Sequence, residues 1–422
     1  MPPSTALLQA ILHTLPPVTY AVAYGSGAVP QAAAPISLPV SEQEDPPEGT
    51  TGVTTPPPAS FPVTHATTAT DAKVVDFLLA VDDVRGWHAA NLAANSHHYA
   101  VPLRWTGPTA IAAVQQWRWG GGVYYNTLIP WAGRLPATPD GASTLATGAE
   151  ATNAHSPPLT RRLIKYGVIS TDALTADLTG WTSLYAAGRL HKPVVTLTPP
   201  PRGLAAALGA NVAAAAAAAV LLLPSAFSAS ALHTTAAGLS YAGDVRSAVV
   251  AAEDPAKVDR LVAGDAARAA YGALYAPAVS ALVGAGVLSP TREGGWAQAT
   301  GCVASRERLL ATLPRGIVAA AAAVAGVGGG AAHTRRHRLA AWMAAGGGGG
   351  SSGGGGRVGG LAGGVGGASA LVGGRSAVVL AAVAAVVRSS SVGQAVKGVL
   401  TAGPATAARY ALAKLRKGRG GS

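Results

Sequence analysis

The chain has 422 residues, enough for two domains and a sizeable buried core. Hydrophobic residues make up 49%, but Ala and Gly inflate that figure and Phe occurs only 3 times, so core volume must come from Leu, Val, Trp and Tyr. The net charge of +12 is unevenly spread: 14 basic residues follow Glu307, the last acid, and the part before it is near neutral, which points to an anionic partner surface, either membrane or nucleic acid.

The first residues lack the Arg-rich, acid-poor pattern of a transit peptide, and Ala6 to Leu15 is expected to be a short helix. Val18 to Ala23 reads as a buried strand ended by Gly25-Ser26-Gly27. Residues 32–70 are rich in Pro, Thr and Ser and are expected to be a disordered insertion. Val74 to Val81 reads as the second strand, Asp83 to Asn95 as a helix and Thr109 to Trp117 as another. Gly122 to Ile129 alternates like a strand, residues 136–158 form a second low-complexity insertion, and Arg162 to Ser170 reads as a strand with Lys165 inside it. Thr171 is placed as the cap of a helix holding Leu174 and Leu178. Strands interleaved with helices give an α/β, or α+β, first domain over 1–200.

From Leu204 the chain turns helical. Ala205 to Leu223 is long enough to span a bilayer, but its Ala content, Asn211 and its glycines favour a buried helix in a second domain over 201–326. A helical stretch is expected from Pro255 to Tyr275. Residues 327–374 are dominated by Gly and read as a linker. In the last part, 375–422, Ser376 to Val387, Gln394 to Leu400 and Ala405 to Lys417 read as helices. The last sets Arg409, Lys414, Arg416 and Lys417 among Tyr410, Leu412 and Leu415, a basic and partly amphipathic pattern suited to an anionic membrane. Cys302 is the only cysteine, which excludes an intrachain disulfide; His97, His98, His333 and His337 are read as surface residues rather than ligands.

Two stretches carry the chemistry. A Gly25-Ser26-Gly27 turn lets backbone N–H groups and the Ser26 hydroxyl approach a phosphate. An acid at the start of the next strand, Asp76, is placed to hold Mg²⁺ against that phosphate. Together they describe a nucleotidyltransferase site. Asp82 shares the face of Asp76 by period-two counting but lies about 20 Å away along an extended strand, and Asp82-Asp83 serve equally well as a helix cap. They are the less favoured metal ligands.

The ordered blocks Tyr24–Gly27, Asp76–Asp83, Trp87-His88, Asn91-Leu92, His98-Tyr99, Gly122–Asn126, Leu163–Thr171, Ala187–Leu190, Lys192-Pro193, Gly238–Tyr241, Thr312–Pro314 and Lys397-Gly398 resemble the mitochondrial translocator assembly and maintenance family, the mitochondrial phosphatidate cytidylyltransferases. The resemblance implies a nucleotidyltransferase-fold domain, a mostly helical winged-helix-like domain and a C-terminal membrane-associating helix. It implies Mg²⁺-dependent formation of CDP-diacylglycerol and pyrophosphate from CTP and phosphatidic acid, at the matrix face of the mitochondrial inner membrane, for cardiolipin synthesis. In that frame Gly25, Ser26 and Gly27 cradle the triphosphate, and Asp76 and Lys165 act at the reacting phosphates. Arg189 and Lys192 clamp phosphate, while Tyr124, Tyr125 and Asn126 contact the base or line the lipid entrance. Ser240, Tyr241, Asp244 and Arg246 complete the cleft, and Arg388 and Lys397 either dock the tail or meet lipid. Two other readings compete: a nucleotidyltransferase acting on nucleic acid, which lacks any recognisable RNA-binding motif here, and a non-enzymatic assembly factor for protein import.

Overall fold

The computed structural model describes residues 4–25, 27–29, 74–117, 120–134, 159–244, 257–346 and 374–402. The expected insertions at 32–70 and 136–158, Ser26, Arg246 and the basic residues from Arg409 onward lie outside them.

Helix α1 (Thr5–Leu12) leads to strand β1 (Tyr20–Tyr24), and β2 (Val75–Val81) pairs with it antiparallel, Tyr24 opposite Asp76. Asp83 caps α2 (Val84–Asn95) by accepting from the Gly86 N–H. Helix α3 (Val101–Gln115) starts earlier than its sequence pattern suggests, because Gly107 adopts a positive φ of 82° ahead of Pro108 and joins two short helices across a kink. Strands β3 (Tyr124–Arg134) and β4 (Leu159–Ser170) form a long antiparallel pair. Ser170, rather than Thr171, caps α4 (Thr171–Gly180). The short helix α5 (Ala187–Leu190) and β5 (Val195–Thr198) complete this half. The sheet order is β3-β4-β2-β1-β5, mixed because β2 and β4 run parallel.

Alternation along the strands gives the sheet two buried faces. Ala21, Ala23, Phe77, Leu79, Tyr166 and Val168 pack under α1 and α2. Val22, Leu78, Ala80, Tyr125 and Ile169 point the other way, into a core that continues through α6 (Arg202–Leu222) and the helical half. Residues Ala215 to Val220 of α6 are fully buried, so the apolar run is a core helix, held between neighbouring helices of the same chain. Its last carbonyls are met by Gln298 and Arg306, whose side chains donate to Val220, Leu223 and Pro224 and to Leu221 respectively.

The helical half holds β6 (Ala226–Phe227), α7 (Ala229–Gly238) and helices Lys257–Val262 and Asp265–Gly284, so the single stretch expected over Pro255 to Tyr275 is two helices. Strands β7 (Leu288–Pro290) and β8 (Trp296–Gln298) pair with each other, and β8 with β6. Helices Val303–Thr312 and Arg315–Val324 follow. The expected linker over 327–374 contains a helix, Ala332–Ala344, because Leu339, Ala340 and Met343 find a buried face against the preceding helices. The first two helices expected in the last part are one, Ala377–Ala402. That helix and α6 are both long and apolar enough to cross a membrane by length and composition.

Candidate active site

The strand register builds the site. Gly25 follows β1 with a φ of 77°, and a Cβ added there would lie 3.5 Å from Asp76 Oδ2, so the turn sits directly against the carboxylate. Gly27 packs so tightly on the Val74 backbone that any side chain would overlap its carbonyl. On the neighbouring parallel strand, Lys165 is the register partner of Asp76, and its Nζ lies 3.6 Å from Asp76 Oδ1. Both side chains keep about a fifth to a quarter of their surface exposed, 21% and 25%. Burial raises the Asp76 pKa, with Lys165 and Arg189 opposing it.

Aromatic rings orient the cations. Lys165 Nζ lies 4.5 Å from the Tyr125 ring centre, and the Tyr125 hydroxyl is 3.2 Å from that of Tyr24. The Arg189 guanidinium packs on Tyr185 at 3.9 Å and on Tyr24 at 5.5 Å, and donates to the Tyr185 carbonyl. Three residues on, Lys192 lies 4.4 Å from the Tyr241 ring and donates to the Gly188 carbonyl and the Ser240 hydroxyl. Ser240 and Tyr241, from the helical half, thus contact Lys192. Lys165 and Arg189 thus set two positive charges against the Asp76 carboxylate, with Lys192 three residues beyond Arg189.

A residue the sequence reading passed over shapes this surface. Asp177, on α4, is buried, and its Oδ1 accepts from the Ser183 and Leu184 N–H groups and the Thr182 and Ser183 hydroxyls. Its Oδ2 accepts from the N–H groups of Ala186 and Ala187. The loop it gathers carries Trp181 and Leu184 at positive φ (49° and 51°) and delivers Tyr185 and Arg189. Asn211, the one polar side chain deep in α6, accepts from Trp181 Nε1 and donates to the Ala187 carbonyl, tying the same loop to the helical half. The signal was present: Asp177 shares the buried face of Leu174 and Leu178, and an acid at apolar spacing requires donors.

The structure divides the remaining candidates. Tyr125 faces Lys165, but Tyr124 and Asn126 point to the opposite sheet face and are fully buried there, since side chains alternate along β3. On that face His88 bonds Tyr99 and Gln115, Asn91 donates to the hydroxyls of Tyr99 and Tyr166, and His98 bonds Tyr166 at 2.7 Å. His98 is therefore not a surface residue: it locks the strand that carries Lys165. Asp82 and Asp83 lie at the far end of β2 from Asp76, where Thr19 and Thr171 donate to Asp82 and hold its pKa low, and Asp83 caps α2. They stand apart from the Asp76 site. Arg388 is exposed, whereas Lys397 is buried and donates to the carbonyls of Gln115 and Gly120, docking the C-terminal helix on the first half.

Fold and site together define a mixed α/β protein in which a carboxylate at the start of one strand faces a lysine on its parallel neighbour, with an arginine beside them. A family model described as "Phosphatidate cytidylyltransferase, mitochondrial" matches residues 8–417, and the chain belongs to this family. Proteins with that same name are similar to it: one from Xenopus laevis at 41% identity over 191 residues (45% of this chain, 47% of that protein), one from Danio rerio at 42% over 190 (45% and 47%) and one from Bos taurus at 41% over 204 (48% and 51%). The chain thus matches about half the length of these curated relatives.

Proposed function

We propose that this chain is a phosphatidate cytidylyltransferase of mitochondria, forming CDP-diacylglycerol and pyrophosphate from CTP and phosphatidic acid. The observation that carries the reading is the Asp76–Lys165 pair, set at the Gly25 turn and flanked by Arg189. A phosphate oxygen of phosphatidic acid attacks the α-phosphorus of CTP, and the bond to the β-phosphate oxygen breaks. The nucleophile is already anionic, so no strong base is required; alignment and charge neutralisation dominate. Gly25 and Gly27 let the backbone approach the triphosphate. Lys165 and Arg189 offset charge on the reacting phosphates, with Tyr24, Tyr125 and Tyr185 fixing their direction. Lys192 extends the cationic surface toward the helical half.

Asp76 is the carboxylate that would hold a Mg²⁺ here, since among the described residues no three His, Cys, Asp or Glu side chains gather into an all-protein site. It would supply electrostatic stabilisation of the transferring phosphoryl group. We read the sheet half as the nucleotidyltransferase domain and the β6-β8-β7 sheet with its helices as a winged-helix-like domain. The basic C-terminal segment carries the enzyme on the matrix face of the inner membrane, where its product feeds cardiolipin synthesis.

The test is formation of CDP-diacylglycerol and pyrophosphate on liposomes containing phosphatidic acid, with CTP and Mg²⁺. Wild type should give both products, and Asp76→Ala should lose about 100-fold or more. Equal activity in both proteins would discard the site. No product from folded wild type, across metals and nucleotides, would favour the assembly-factor reading.

A further inference from the structure

The sequence contains no acid over 84–139, and none over 308–422. The first holds five of the eight tryptophans (Trp87, Trp105, Trp117, Trp119 and Trp131) together with Arg85, Arg104, Arg118 and Arg134. In the fold the two tracts meet. Lys397 of the C-terminal helix reaches into the first half and donates to the carbonyls of Gln115 (2.7 Å) and Gly120 (3.2 Å), on either side of Trp117.

Most of the exposed large apolar side chains lie on the two segments that meet here. Among the described residues seven such side chains are exposed, and five of them lie on these segments: Val101 (54%), Trp105 (77%) and Trp117 (47%) on α3 and the turn after it, and Val392 and Val396 (48% each) on the C-terminal helix. Val101 and Trp105 lie one helical turn apart, in the segment that the Gly107 kink sets off from the rest of α3. The Arg104 guanidinium lies 5.8 Å from the Trp105 ring centre. Val392 and Val396 are likewise one turn apart.

We infer that the Val101–Trp105 turn, Trp117 and the Val392/Val396 ridge form one surface that inserts into the interface of an anionic bilayer. The pattern suits a membrane better than a protein. Trp and Arg are at home at the headgroup level, where a ring meets the apolar edge and a guanidinium meets phosphate. Freedom from acids across both tracts removes the repulsion an anionic surface would impose, and each basic residue near such a surface adds about fivefold to partitioning. The first half thereby becomes a membrane contact in its own right, with Lys397 fixing its angle to the C-terminal helix.

This inference rests on the reading that the C-terminal segment meets a membrane, and its test is separable from cytidylyl transfer. The full chain is floated with vesicles of phosphatidylcholine and phosphatidylglycerol, without CTP, over a range of salt. Trp105→Ala should weaken partitioning by about fivefold or more, Trp105→Glu further, and Trp105→Phe least, with CTP binding unchanged in all three. Flotation of all variants at the wild-type level would overturn the inference and leave binding to the tail alone. Failure of wild type to float would also overturn it. So would a change in the native mass of the free protein with flotation unaltered, which would make the patch a contact between two copies.

Discussion

Replacing Asp177 by Asn keeps the side chain's shape and removes its charge. Whichever way the amide is turned, at least two buried backbone N–H groups that now point at a carboxylate oxygen, those of Ala186 and Ala187 or of Ser183 and Leu184, would face an NH₂ group instead. A hydrogen bond to a charged group contributes about 1.5–3 kcal/mol, so the loss is about 3–5 kcal/mol. The damage is local in origin. Trp181 and Leu184 are held at positive φ, a backbone state that costs roughly 1 kcal/mol or more for each residue, and the carboxylate is what gathers the loop into it. Once released, the loop no longer presents Tyr185 under the Arg189 guanidinium. Urea unfolding should show the stability loss. Steady-state assays on the fraction still folded should show KM for CTP rising about tenfold, since Arg189, proposed to meet the triphosphate, is misplaced. The reasoning fails if stability stays within about 0.5 kcal/mol of wild type and KM for CTP does not move.

The buried histidines set a pH dependence. Burial lowers His88 to about 4 from an ordinary value near 6.5, so between those limits the unfolded chain binds a proton the folded chain does not, and stability falls as pH drops through that window. The full effect is of order 3 kcal/mol at pH 4, and His88→Gln should flatten the decline of melting temperature from pH 6.5 to 4. His98, also lowered to about 4 by burial and by His97, leaves part of that slope in the variant. Lys397→Met should strip a donor from the carbonyls of Gln115 and Gly120, costing about 2–4 kcal/mol, and hydrogen exchange should rise along Ala377–Ala402 before it rises in the sheet.

The neighbourhood of Asp76 is largely legible in the sequence. The Gly25–Gly27 turn, Asp76 and Lys165 stand out in it because small-residue turns, strand-edge carboxylates and in-strand lysines are local features, written in consecutive residues. Period-two counting likewise placed Asp82 at the far end of the strand from Asp76, and the register shows why it is spent on Thr19 and Thr171.

Other features were not local. Alternation states that Tyr124 and Tyr125 face opposite ways, yet only packing decides which face holds Lys165. The Asp177 loop depends on six donors drawn from residues 182–187, and its anchor Asn211 lies 24 residues beyond Ala187, inside an apolar helix. Lys397 carried the same formal charge as the basic residues after it, and its burial against Gln115, 282 positions away, is a fact of the tertiary structure alone. The sequence by itself determined the strands β1 to β4, helix α2 and the placing of Asp76 at a strand start beside a glycine turn. Tertiary structure decided which cations converge on that carboxylate and which are buried as struts, because burial and long-range hydrogen bonds, unlike turn chemistry and periodicity, are properties of residues far apart in the chain.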